Sequence, residues 1–219
     1  MKKKMFNDRY GLTAAVLEKR KTMMRSVERI DFYPGSREEQ IEKFCKRSAT
    51  DAKGRQVWLG FDNKGNWIAQ LIPHYAIGEE VAVAQSYSSL YNHMLFYAGK
   101  EKALAYRSKL GSEPELQAGW SNKMFVRADL MPHRIRITDI RMERLQDISD
   151  EDCLREGIME GEFMNTWDRF YFDSWGDVPN HITFRTPRTA FAALIDKVSG
   201  RGTWKRNPWV FAYEFELVK

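Results

Sequence analysis

Between Arg134 and Leu145 apolar and charged residues alternate as in a half-buried strand, but the apolar parity switches from Ile135 and Ile137 to Ile140 and Met142. One extra residue near Thr138-Asp139 keeps both halves facing the same core, which is how a β-bulge appears in sequence. The chain ends in a second long alternation, with Trp209, Phe211, Tyr213, Phe215 and Leu217 on one face. Shorter strands and short helices interleave with these two. The pattern predicts an α+β domain built around a small mixed β-barrel. It spans 1–219 with no internal repeat or linker-like run, and carries insertions at about 88–120 and 159–186.

Local signals fill in the remaining elements. Thr13 to Arg20 reads as a short helix carrying Lys19-Arg20-Lys21 at its carboxyl end, where positive charge suits the dipole. The chain leaves the helix at Thr22-Met23-Met24-Arg25. Ser36-x-x-Glu39 reads as a capping box opening a helix with Ile41, Phe44 and Cys45 on one face. Val57 to Phe61 and Trp67 to Ile72 flank Asp62-Asn63-Lys64-Gly65-Asn66, a hairpin signal. Val81 to Ala84 reads as a buried strand, and 88–120 as a partly helical insertion. Ser149 with Asp152 opens a helix that Ile148 staples through Cys153 and Gly157 stops. Thr186-Pro187 starts another, with Phe191, Leu194, Ile195 and Val198 at helical spacing, ended by Gly200.

At 219 residues the chain can bury a core without a disulfide or metal staple. Two cysteines (Cys45, Cys153) and four scattered histidines show no metal-ligand spacing, so neither a metal nor any other cofactor is expected. No apolar run reaches the length of a bilayer span, which predicts a cytoplasmic protein without a membrane partner. The net charge of +5 is local: residues 1–30 hold nine basic side chains against Asp8, Glu18 and Glu28, an excess of six, and the rest is slightly acidic. Such a cluster suits a polyanion-binding face, or a solvated tail followed by a surface helix.

Leu17-Glu18-Lys19-Arg20-Lys21-Thr22-Met23-Met24-Arg25 resembles the signature of the ASCH family, a branch of the PUA-like fold. Three further blocks follow in the family's order: Tyr75 to Val83, Met131 through Arg134 to Asp152, and Asn207 to Phe215. Together they cover about half the chain and are most similar to ASCH proteins of phages and prophages. The resemblance implies a small β-barrel with a cleft beside the signature helix, holding RNA or a modified nucleoside or nucleotide. Some bacterial relatives are amidohydrolases acting on 4-N-acetylcytidine through a Lys, a Thr and a Glu. By position the Lys is Lys21 and the Glu is Glu156. The Thr falls at Met24, and a thioether offers no oxygen nucleophile, so Thr22 has to supply the hydroxyl. The family's Val-Arg-Glu-Thr-Trp strand block reads Val83-Ala84-Gln85-Ser86-Tyr87 here.

The expected nucleic-acid contacts are Lys19, Arg20, Lys21, Arg25 and Arg134, because guanidinium forks match phosphate oxygens. Arg136 reads as surface. Lys21 is either a desolvated base or a solvated lysine at a helix end. Glu156, in the last turn of its helix, faces the negative end of the dipole and is expected to favour its protonated form, as a general acid does. On that reading Glu156→Gln leaves stability unchanged or slightly higher; the plain alternative is an exposed glutamate. Trp167, Phe170, Tyr171, Phe172 and Trp175 read as an insertion packed on the core, or else as a stacking platform. His133 reads as structural. Three functions are open: an RNA- or modified-nucleotide-binding domain, an amidohydrolase for an N-acylated cytidine, and a protein-interaction module using the aromatic insertion. The oligomeric state is not legible.

Overall fold

The computed structural model describes residues 1–27, 29–51, 55–161, 169–173 and 183–218. In chain order the elements begin with β1 (Lys2–Lys4), α1 (Leu12–Leu17), β2 (Met23–Ser26), β3 (Asp31–Phe32) and β4 (Lys43–Thr50). Next come β5 (Gln56–Phe61), β6 (Trp67–Leu71), β7 (Glu80–Val83), α2 (Tyr87–Tyr97), α3 (Lys100–Lys109) and β8 (Arg134–Arg144). The last are α4 (Asp150–Arg155), β9 (Met159–Glu160), β10 (Phe170–Tyr171), α5 (Pro187–Ser199), α6 (Thr203–Arg206) and β11 (Trp209–Leu217).

The fold is mixed α+β. A five-stranded sheet runs β1-β7-β8-β11-β2, a four-stranded sheet runs β3-β6-β5-β4, and β9 pairs with β10. No closed barrel forms among the described residues. None of their helices is long and apolar enough to cross a membrane.

The bulge stands where the parity switch puts it. Glu214 pairs with Asp139 and Phe215 with Ile137, so Thr138 is the extra residue. Ile135, Ile137 and Ile140 therefore all reach the main core, against Phe211, Tyr213 and Phe215 of β11. Ser149 caps α4 by accepting from the Asp152 N–H, and Thr186 caps α5 by accepting from the Thr189 N–H. Asp62 closes the β5–β6 hairpin by accepting from the N–H groups of Lys64 and Asn66.

β7 separates two cores. Val81 and Val83 belong to the main core; Ala82 and Ala84, on the opposite side, pack with Tyr87, Leu90, Tyr106 and Met131 under the α2–α3 insertion.

Three local expectations fail for identifiable reasons. α1 stops at Leu17 and Lys19 takes a left-handed φ of 62°, so Lys19-Arg20-Lys21 lies beyond the helix. Lys2-Lys3-Lys4 is a strand parallel to β7, with Lys2 paired to Glu79 at 3.0 Å and Lys3 donating to the carbonyls of Met124 and Val126 at 2.6 Å. The helix expected after Ser36 is a single 3-10 turn (Glu38–Gln40) followed by β4. There Gly60 lets the Phe44 ring lie flat on β5: a Cβ at Gly60 would sit 2.9 Å from Phe44 Cε1 and 3.1 Å from Ala69 Cβ.

Gly60→Ala should accordingly lower Tm by several degrees, since overpacking costs about 1–3 kcal/mol. Adding Phe44→Leu should recover part of the loss; a melting curve unchanged by Gly60→Ala would show that β4 does not depend on this contact.

Candidate functional site

Past α1 the chain reverses at Lys19, and the Lys21 N–H donates to the Ala15 carbonyl at 2.9 Å. This aims the Lys21 side chain inward, where it is 3% exposed. Glu156 comes from the other side as the C-cap of α4, where the αL turn at Gly157 ends the helix, and it is 5% exposed. Lys21 Nζ donates to Glu156 Oε2 at 2.5 Å and to the Glu156 carbonyl at 2.7 Å. The second carboxylate oxygen accepts from Arg25 Nη1 at 3.0 Å.

Arg25 extends the cluster. Its Nη2 donates to Glu143 at 2.7 Å and to Asp152 at 3.1 Å, and its Nε to Glu143 at 3.0 Å. Asp152 also accepts from Arg141 at 2.8 Å, and Arg155 donates to Glu214 at 2.8 Å. Four basic and four acidic side chains thus form one balanced network. The Phe191 ring, 5.9 Å from the Arg25 guanidinium carbon, covers it from α5.

Burial pushes the Lys21 ammonium below its ordinary pKa, and the Lys4 and Arg25 charges add to that against the attraction of Glu156. Burial also pushes the Glu156 carboxyl up, but Lys21 and Arg25 outweigh it and hold the acid below the usual carboxylate range. The helix-end dipole therefore does not decide the state of Glu156. It is a carboxylate flanked by two cations, not the protonated acid expected from its position.

Lys21, Met24, Arg25 and Glu156 line one cavity, walled by Phe6, Leu12, Phe191 and Leu194, with Lys4 and Val198 also on its lining. It holds about 80 Å³, room for a few waters or one flat fragment, and far less than the roughly 300 Å³ of a pocket that buries a whole drug-sized ligand.

The remaining candidates lie elsewhere. The Thr22 hydroxyl accepts from Arg155 Nε at 3.2 Å and is not on the cavity lining. Lys19 and Arg20 are exposed, with Arg20 paired to Glu18 at 2.7 Å. The Arg25 side chain is 1% exposed and held by carboxylates, so no phosphate can reach it in this conformation. Arg134 lies 3.4 Å from Glu80 and lines a different groove. Arg136 pairs with Glu80 and Glu216 on the surface. His133 is half-buried, its Nδ1 2.7 Å from Gln85 Oε1.

Of the aromatic insertion, Trp167 and Trp175 lie outside the described residues. Phe172 is 2% exposed and stacks on Phe184, so this part packs on the core. Burial pushes the Cys153 thiol up to about 12, which leaves it unreactive. No group of His, Cys, Asp and Glu among the described residues could hold a metal ion.

Arg141, Glu143, Asp152, Arg155 and Glu214 were not expected at the site. Charged residues on a strand or a short helix carry no local mark of burial, and it is the pairing of β11 with both β2 and β8, with α4 packed beside them, that brings these together. No family model, curated protein or solved structure matches the chain.

Removing one partner of a buried pair leaves an uncompensated charge. Glu156→Gln should therefore destabilise by about 3–5 kcal/mol, roughly 10 °C in Tm at about 2–4 °C per kcal/mol for this size. Lys21→Met in the same chain should restore much of it. Because the folded-state pKa of Glu156 is depressed, its stabilisation is complete above the unfolded value near 4.3 and disappears as pH falls through the folded one. The wild-type melting temperature should thus fall more steeply below about pH 4.3 than that of Glu156→Gln. Parallel acid profiles would place the Glu156 charge outside the stabilising network.

Proposed function

We propose that this chain is an ASCH-type protein of PUA-like architecture that binds a modified nucleobase, free or within RNA, in the cavity at Lys21 and Glu156. The carrying observation is the set of hydrogen-bond positions left over there. Lys21 has three N–H donors, two of them engaged by Glu156. The Glu156 carboxylate has about four acceptor positions, and two side-chain donors meet it. One donor and about two acceptor positions remain, on a cavity whose other walls are apolar. That is the complement of a pyrimidine edge carrying an amino group beside a ring nitrogen or carbonyl, a pairing in which carboxylates accept from the cytosine amine. The small volume fits a base better than a whole nucleotide, so sugar and phosphate stay outside.

An N-acylated cytidine hydrolase is the second reading, favoured by the lowered pKa of Lys21, which suits a base. Against it stand Met24 on the cavity lining and the Thr22 hydroxyl turned toward Arg155. The chain as it stands should then bind 4-N-acetylcytidine without releasing acetate, and Met24→Thr should raise any turnover.

Cytidine and 4-N-acetylcytidine titrated by calorimetry provide the test. Binding is expected, with loss of at least tenfold on Val198→Trp, which fills the rim from an exposed position and should leave Tm unchanged. With Arg25 engaged by carboxylates, affinity for an RNA carrying the base should fall only weakly with salt, at a log-log slope no steeper than about −1.4, or two phosphates. Nucleoside binding that survives Val198→Trp would remove this cavity as the site.

A further inference from the structure

The largest unexplained polar features gather on the other side of β7. Lys4 and Arg134 pair with successive β7 residues, Val83 and Ala82, so the two side chains leave opposite faces of the sheet. Lys4 lines the base cavity; Arg134 lines a groove of about 510 Å³ between the α2–α3 insertion and the start of β8. On α3 the lining residues Lys102, Ala105, Tyr106 and Lys109 follow helical spacing and form one face.

Five buried side-chain polar atoms among the described residues lack a hydrogen-bond partner, and two of them, Tyr106 Oη and Arg134 Nε, belong to residues lining this groove. Tyr106 is 7% exposed, and its burial raises the phenol pKa, so the hydroxyl keeps its proton and remains a donor. Lys102 and Lys109 are exposed and have no ion-pair partner among the described residues. The acids nearby are engaged: Asp129 is held by Arg127 at 2.7 Å, and Glu80 is shared between Arg134 and Arg136. Met94, Leu130 and Pro132 supply an apolar wall.

We propose that this groove is a second binding site, for a phosphate monoester carrying a flat apolar group, with Lys102, Lys109 and Arg134 facing the phosphate. A phosphate presents three strong acceptor oxygens and close to two negative charges, which three cations match better than they match a carboxylate. The organic part lies on the Met94 and Pro132 wall. The site is separate from the base cavity and does not depend on it.

Phenyl phosphate, inorganic phosphate and sulfate titrated against the full chain and followed by NMR shifts provide the test. Phenyl phosphate is expected to bind several-fold more tightly than inorganic phosphate, with sulfate weaker still. Lys102→Ala with Lys109→Ala should weaken phenyl phosphate by about tenfold, while Val198→Trp leaves it unchanged. Tyr106→Phe removes a buried hydroxyl without a partner, so Tm should hold or rise. Equal binding of all three anions, or phenyl phosphate affinity unaffected by the double lysine variant, would overturn the proposal.

Discussion

The Arg25 guanidinium is the junction on which the arrangement of this protein turns. It leaves β2, reaches Glu143 on β8 and Asp152 and Glu156 on α4, and lies under Phe191 of α5. Four elements meet at a charge whose side chain is 1% exposed. A guanidinium so desolvated is tolerable only because four of its five N–H donors find carboxylates, two of them on Glu143. Moving β2, β8 or α4 would leave buried charge unmatched, and moving α5 would uncover it. The Lys21–Glu156 pair exists within that frame, because Glu156 has one oxygen on each cation.

The bulge at Thr138 is the backbone feature that makes the junction possible. Arg25, Ala212 and Arg141 form one cross-strand row, so their side chains share a face. Without the extra residue, Arg141 and Glu143 would point to the other face, and the row of isoleucines before the bulge would lose its continuation. One inserted residue thus sets both the apolar seam against β11 and the place of Glu143, which receives Arg25, and of Arg141, which shares Asp152 with it.

What was legible in the sequence is what local chemistry decides. The parity switch, the Asp62 hairpin turn and the caps at Ser149 and Thr186 all stand in the structure where the residues put them. The convergence of Lys21 with Glu156, 135 residues apart, was expected only through the family resemblance. What was not legible depends on distant partners. A run of three lysines becomes a strand because β7 offers an open edge, and a segment with a helix-like start becomes β4 because Gly60 admits Phe44. Arg134 does not join Lys21, Arg25 and Glu156: it stands at the β7 end of β8, beside Glu80 and on the groove under the α2–α3 insertion, whereas Arg25 lies across β11 on β2.

Charge balance also changes the meaning of the basic amino-terminal segment. Counted along the chain, residues 1–30 look like a face for polyanions, with nine basic side chains against three acidic ones. In space much of that excess is committed: Lys2 to Glu79, Lys3 to two carbonyls, Lys21 to Glu156 and Arg25 to three carboxylates. The cations paired with carboxylates, Lys2, Lys21 and Arg25, add little to the long-range field, because each has its counter-charge within a few ångströms. Apolar side chains of similar volume often stabilise a core as well as buried ion pairs do. What the ions add, and apolar groups could not, is a cavity wall that carries hydrogen-bonding groups held in fixed positions by Arg25 and its carboxylates.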